Sequence, residues 1–221
     1  MRFLGVAAVM AVLGGPVSAA TLFAEDFDAL ADGTTATADW TTSAPGLLSG
    51  DSFEVSAGRF EANDTNDFAT WTTREIDIAG FVNLVLGIDF EEVGDHEGAS
   101  CRCGVDQDAI NVGVSIDNGA FEFFENINGL GDDDRGFGIT GDIAEGVGAT
   151  DADFGTTTLN EAVGTGSTLR LQIAIRNTAG AETIFFDNVT LQGEASVIPL
   201  PPAGLLLVGA LGALALRRRG A

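Results

Sequence analysis

The chain has no lysine and no tyrosine, a single histidine (His96), two cysteines (Cys101 and Cys103) and two tryptophans (Trp40 and Trp71) among 221 residues. Ten arginines supply all its basic charge against 33 acidic residues, a formal net charge of −23 at pH 7. Every acid falls between residues 21 and 196, where the only basic residues are Arg59, Arg74, Arg102, Arg135, Arg170 and Arg176. A surface of this sign repels phosphate backbones and anionic lipid, which removes the attraction that dominates nucleic-acid binding. Nucleic acid is therefore not an expected partner. The acidity suits solubility in a saline or divalent-rich exterior, and it also suits cation binding.

The lone histidine has no nucleophile beside it, and a Gly-x-Ser-x-Gly elbow and a phosphate-binding loop are both missing. These gaps argue against catalysis. The remaining enzymatic alternative is an extracellular glycosidase or lyase, because paired carboxylates at roughly 5 to 10 Å are a three-dimensional property that sequence does not display.

The two ends are the least acidic parts. Arg2, an apolar run from Phe3 to Leu13, a Gly14-Gly15-Pro16 break and small residues at Ser18, Ala19 and Ala20 make a secretory signal peptide over residues 1–20. Signal peptidase is expected to cut after Ala19 or Ala20, so that the mature chain begins near Thr21. At the other end an uninterrupted apolar and glycine run, Ala203 to Leu216, would form a helix about 21 Å long at about 1.5 Å per residue. A bilayer core is about 30 Å thick. The run is short for a stable span, with Arg217, Arg218 and Arg219 placed to reach the headgroups. Pro199, Pro201 and Pro202 hold its entry extended.

This tail resembles the VPLPA-CTERM variant of the PEP-CTERM sorting signals of Gram-negative bacteria. The resemblance lies in Val197-Ile198-Pro199-Leu200-Pro201-Pro202-Ala203, which carries an inserted isoleucine and a second proline, followed by the apolar run and the arginines. It implies an exosortase-type membrane transpeptidase as partner, transient anchoring in the inner membrane, and delivery to the cell envelope, outer surface or extracellular matrix. Residues 197–221 are thus expected to anchor first and to act as a label second.

Between the ends, residues 21–196 are long enough for one domain with a real core. Period-two alternation dominates. In Val82 to Phe90 every even position is apolar, and Ile110 to Ile116 repeats the pattern. Asp117-Asn118-Gly119 then supplies a turn into Ala120 to Glu125, which predicts a hairpin. Leu169 to Ile175 alternates too, and Asn177 to Gly180 turns the chain into Thr183 to Leu191. Weaker strands are predicted at Thr21 to Phe27, Phe53 to Val55, Gly58 to Glu61, Ala69 to Ile78 and Thr156 to Leu159, with a long loop over Gly129 to Asp153. Many strands and almost no helical period predict an all-β fold, an antiparallel β-sandwich of the jelly-roll kind. The order of strands, from "FAEDFD" to "FFDNVTLQG", resembles the carbohydrate-binding-module and laminin-G-like jelly rolls of exported bacterial proteins. That resemblance implies a non-catalytic module that binds a ligand such as an exopolysaccharide, or a structural one. Two tryptophans and no tyrosine depart from it, because such modules usually present flat aromatic platforms.

Two places stand out as candidate sites. By strand alternation Phe185, Asp187, Val189 and Leu191 share a face, and so do Phe23, Glu25 and Phe27. Glu25 and Asp187 are therefore expected among core residues, where a carboxylate must be paired, hydrogen-bonded or bound to metal. The resembled modules often hold a structural calcium where first and last strands meet, which makes Glu25 and Asp187 candidate Ca²⁺ ligands; hydrogen bonding of each to nearby groups is the competing reading. The loop "GDHEGASCRCGVDQD" holds His96, Cys101 and Cys103. Exported cysteines oxidise, so a strained Cys101–Cys103 disulfide is expected, against free thiols or a transition-metal site with His96 and Asp95 or Asp106. Asp132-Asp133-Asp134 reads as a solvated loop. Asn63-Asp64-Thr65 and Asn188-Val189-Thr190 fit the glycosylation sequon without specificity for this chain.

Overall fold

The computed structural model describes residues 18–94, 108–129, 137–138 and 157–196. Most of the signal segment, the whole sorting tail from Val197 to Arg219, Cys101 and Cys103, His96 and the Asp132 to Asp134 run lie outside the described residues. Within them, the chain runs through β1 (Ala19–Glu25), β2 (Trp40–Ser43), β3 (Ser52–Ser56), β4 (Arg59–Asn63), β5 (Ala69–Thr73), β6 (Ile76–Asp77) and β7 (Phe81–Val93). It continues through β8 (Ala109–Ile116), β9 (Glu122–Gly129), β10 (Phe137–Gly138), β11 (Thr157–Ala162), β12 (Thr168–Arg176) and β13 (Thr183–Ala195). No helix is present among the described residues.

All the pairings are antiparallel and make two sheets packed as a sandwich. The first has the order β11-β7-β13-β4-β3, with β1 also on β13; the second has the order β10-β9-β8-β12-β5-β2, with β6 also on β12. The expected contact of first and last strands is present, from Ala19 opposite Glu194 to Glu25 opposite Val189. Those pairs begin two residues before the expected mature start at Thr21, so signal removal after Ala20 would shorten β1 by its first two pairs.

One core fills the space between the sheets. The alternating apolar residues Leu84, Leu86, Ile88 and Phe90 of β7, Ile110, Val112 and Val114 of β8, and Leu169, Leu171, Ile173 and Ile175 of β12 all point into it. At its centre Phe27 sits among Trp40, Phe60, Trp71 and Phe186, with ring centroids 5.6 to 6.1 Å from its own. Both tryptophans are core residues, at 1% and 0% exposure, so neither serves as a surface platform.

The predicted hairpin forms at Asp117-Asn118, both in the left-handed region (φ 50° and 59°), with the Gly119 N–H donating to the Ile116 carbonyl at 2.9 Å. Positive φ at both central positions matches the twist of the flanking strands, which is why a short polar pair is tolerated there. The Asp117 carboxylate also accepts the N–H groups of Ser167 and Thr168, at 2.7 and 3.0 Å, which ties the turn to the start of β12. These two bonds, Thr168 before Ser167, lower its pKa.

The structure departs from the sequence reading in four elements. The single strand expected over Ala69 to Ile78 is two, because Thr73 turns its hydroxyl inward to accept the buried Leu171 N–H at 2.9 Å and the chain slips by a residue before β6. Strand β2 was not expected: only Trp40 and Thr42 of it face inward. Strand β10 lies within the expected loop. The fourth departure concerns Asp187. Ile184 and Phe186 are buried while Phe185 and Asp187 are not, and a β-bulge follows at Asn188 (φ 51°), after which Val189 and Leu191 are buried. One extra residue reverses the phase, so Phe185 and Asp187 do not share the inner face with Val189 and Leu191.

The Asn63 sequon is occupied structurally. Asn63 Nδ2 donates to the Glu182 carbonyl at 2.7 Å, and Thr65 joins the buried Asn177, whose Oδ1 accepts the Thr65 N–H at 3.0 Å. Asn177 Nδ2 donates to the carbonyls of Ala62 and Glu182, both at 3.0 Å, fastening the end of β12 to the end of β4.

Candidate functional site

Glu25 faces inward as expected, and the protein itself uses its carboxylate. One oxygen accepts the Phe27 N–H at 3.1 Å and the other accepts the Trp40 indole N–H at 2.7 Å. Phe27 adopts φ 54°, a strained conformation for a bulky residue, and the Glu25 bond holds the turn that drives its ring into the core.

Asp187 is instead on the outer face of the first sheet. Burial against its neighbours raises its pKa; the Asn188 N–H bond opposes this, and the carboxylates of Asp28, Asp26 and Asp89 add to the rise. Asp89 lies directly across on β7, and Asn188 Nδ2 donates to it at 2.9 Å. Among the described residues no group of three or more His, Cys, Asp or Glu side chains is set to hold a metal ion. Around Asp187 this face carries Glu54 and Glu61, each between two buried residues, and Glu91 and Glu194, each after a buried one. Arg59 closes over the middle of it, 3.8 Å above the Phe185 ring and 2.6 Å from Glu91. A shallow pocket of about 100 Å³ lies beside that pair. Its aromatic ring is capped by the protein's own guanidinium.

The outer face of the second sheet has different chemistry. Its inward residues leave Thr41 and Ser43 on β2, Thr70 and Thr72 on β5, Asn111, Gly113 and Ser115 on β8, and Arg170, Gln172, Ala174 and Arg176 on β12 on the other side of the sheet by alternation, although Gly113, Ser115 and Ala174 are buried there. In a chain with 33 acidic residues, none of these outward positions is an acid; on the same sheet the outward residue of β6 is Asp77, opposite Thr168 at the start of β12. Register places Phe123, Gly113, Gln172, Thr72 and Thr41 in one row across five strands. At strand spacings of about 4.8 Å such a row is about 19 Å long. Gln172 Nε2 donates to Thr72 Oγ1 at 3.2 Å within it.

Phe123 terminates the row and is 42% exposed, a large ring left in solvent. A bulge between Val112 and Gly113 brings β9 over the sheet, so a Cβ on Gly113 would meet the Phe123 ring at 2.7 Å and the Glu122 carbonyl at 2.6 Å. Only glycine admits this approach. Beside it the Arg170 guanidinium lies 5.3 Å over the Phe121 ring. Among the described residues Arg170 makes no hydrogen bond or ion pair, and its buried Nε has no acceptor.

The sequence reading missed this face. Its hydroxyl and amide side chains are ordinary strand residues one at a time, and what joins them is the register of five strands. The sequence offered no signal for it: Ala109 to Ile116 and Thr168 to Arg176 carry no acid, but neither do Trp40 to Gly50 and Ile78 to Ile88, the latter leading into β7 of the acidic sheet.

No protein-family model and no curated protein sequence matches the chain. Among solved structures it is similar to the K3 adhesin domain of Lys-gingipain from Porphyromonas gingivalis W83, at TM-score 0.48 and 12% identity over 79% of this chain and 99% of that one. It is also similar to the CBM22-1 xylan-binding domain of Paenibacillus barcinonensis Xyn10C, at TM-score 0.38 and 14% identity over 83% of this chain and 100% of that one. A third is the carbohydrate-binding module TmCBM27, described for mannan recognition, at TM-score 0.37 and 11% identity over 80% of this chain and 98% of that one. These likenesses are distant, and any functional reading rests on the chain's own two faces.

Proposed function

We propose that the chain is an exported, non-catalytic polysaccharide-binding module, and that the outer face of the β8, β12, β5 and β2 sheet is its binding surface. The observation that supports this most is the acid-free row ending in Phe123. An exposed ring offers a sugar's C–H face an apolar seat, and the hydroxyls and amides of Thr41, Thr72, Gln172 and Asn111 exchange hydrogen bonds with sugar hydroxyls at little desolvation cost. Carboxylates on that face would have to shed water to do the same. The flat row suits an extended chain of several sugar units more than a small compact ligand.

Export and sorting complete the proposal. A signal peptidase would release residues 21 onward, and an exosortase-type enzyme acting at Val197 to Ala203 would pass the domain to the envelope surface or matrix, where exopolysaccharide is the available partner. Calcium enters this proposal through Asp187, since Glu25 is engaged by Trp40 and Phe27.

The test is affinity electrophoresis of the full chain through gels containing soluble polysaccharides, neutral and acidic. Retardation by at least one of them, lost in Phe123→Ala with an unchanged melting temperature, is the expected result. Migration unaltered by every polysaccharide would overturn the proposal.

A further inference from the structure

We infer that the polysaccharide bound by the β8–β12 face carries carboxylates, and that Arg170 is the residue that selects for them. This deepens the reading of that face as a polysaccharide surface and rests on it.

The argument begins with how this protein treats its other cations. Arg59 is paired with Glu91 and Arg74 with Asp39. Arg170 sits in the same strongly acidic chain, yet the described residues give it no carboxylate and no hydrogen bond, and its Nε is buried without an acceptor. Across β8 its partner is Ser115 and the next outward residue along β12 is Gln172; on the other side Asp77 of β6 stands opposite Thr168, and among the described residues it forms no ion pair with Arg170. With 33 acids to draw on, neutralising Arg170 would take one substitution at a neighbouring outward position.

The guanidinium is nevertheless held in place. It lies over the Phe121 ring at 5.3 Å, a cation–π contact that fixes the side chain without neutralising it. Phe121 is two residues from Phe123, so the positive charge stands beside the exposed aromatic seat. Guanidinium geometry matches a carboxylate through parallel N–H donors, which an ammonium does not reproduce. A sugar seated on Phe123 with its neighbour over Gln172 would bring a uronate carboxylate within reach of Arg170.

The chain's overall charge does not prevent this. At physiological ionic strength the Debye length is about 8 Å. The acidic outer face belongs to the other sheet, on the far side of the sandwich, and around its edges salt in the solvent screens those charges over about that length. A local cation with no ion-pair partner among the described residues therefore governs a contact that the net charge would oppose at long range.

The experiment is isothermal titration of the full chain with oligosaccharides of polygalacturonate, alginate and glucuronoxylan, each paired with the same oligosaccharide after its carboxylates have been reduced to alcohols. The inference predicts that at least one uronate ligand binds about tenfold or more tightly than its reduced counterpart. It predicts too that Arg170→Gln removes that difference while leaving binding of the reduced ligand unchanged, and that Arg170→Lys restores only part of it. The comparison of paired ligands on the wild type stands even if a variant folds poorly. Equal affinity for both members of every pair would overturn the selectivity and leave the polysaccharide surface standing. Absence of binding by every member would overturn both.

Discussion

The two outer faces of this sandwich obey the same strand alternation and present opposite surfaces. On the β7–β13 side Glu54, Glu61, Asp89, Glu91, Asp187 and Glu194 point to solvent, and an arginine caps the half-exposed Phe185. On the β8–β12 side the outward residues of β8, β12, β5 and β2 are hydroxyls, amides, a glycine, an alanine and arginines, Asp77 of β6 stands at the end of β12, and Phe123 is left uncovered. The difference teaches that the acidity of the chain is placed, and that a charge total describes only the part of the surface that keeps the protein dispersed. A row without acids costs solubility and exposes a ring, and that row is the contact site proposed above.

The largest expected effect comes from the acid that lies on neither outer face. Glu25→Ala leaves the Trp40 indole N–H and the Phe27 N–H without acceptors, a loss of about 2 to 4 kcal/mol at about 1 to 2 kcal/mol for each stranded donor. Thermal unfolding should show a melting temperature lower by about 5 to 15 °C, from about 2 to 4 °C per kcal/mol. An unchanged melting temperature would mean that this inward carboxylate is not part of the fold's polar fastening.

Next in size is Gly113→Val, which forces β9 and Phe123 away from β8. Overpacking of this kind costs about 1 to 3 kcal/mol, and polysaccharide binding should fall with it. Carrying the acidic chemistry across is milder on the fold: Gln172→Glu sits outward and should change stability by about 0.5 kcal/mol or less. It should weaken polysaccharide binding about tenfold or more, because it gives Arg170 an internal partner and the ligand a repelling neighbour. Full binding by Gln172→Glu would remove the distinction between the faces.

Two further aspartates respond to pH with opposite signs. Asp187 has a raised pKa, so its charge opposes folding above that pKa and the penalty is relieved as pH falls toward the ordinary carboxylate value of 3.8. Asp187→Asn should therefore raise the melting temperature at neutral pH, with the gap to wild type closing on acidification. Asp117 has a lowered pKa, so its support is present above 3.8 and is lost as pH falls through its folded value. Asp117→Asn should lower the melting temperature at neutral pH. Repeating the Asp187 measurement with Ca²⁺ at fixed ionic strength tests the proposed cation: calcium should raise the wild-type melting temperature and raise that of Asp187→Asn less. The smallest effect belongs to Glu61→Gln on the acidic face, which should leave polysaccharide binding unchanged.

The fold was legible because burial on one side imposes alternation. The period-two runs at Val82 to Phe90, Ile110 to Ile116 and Leu169 to Ile175 became β7, β8 and β12, and Asp117-Asn118 became the hairpin between β8 and β9. Asp187 was misplaced because a bulge shifts phase at a residue, Asn188, that looks like any strand asparagine until its φ is known. Glu25 was readable as inward, and its role was not, since the Trp40 indole that engages it is fifteen residues away on the other sheet. The candidate surface was illegible for a related reason: Phe123, Gln172 and Thr72 become neighbours only through register, and alternation tells which side a residue faces without telling what stands beside it.

The central claim is that ligand meets the acid-free row, and amide chemical-shift mapping during titration with the oligosaccharide that binds best tests it most directly. The account predicts that the shifts gather at Gly113, Phe123, Arg170, Gln172 and Thr72, with Arg59, Phe185 and Asp187 unmoved. Shifts centred on Arg59, Phe185 and Asp187, with the β8–β12 face silent, would contradict it.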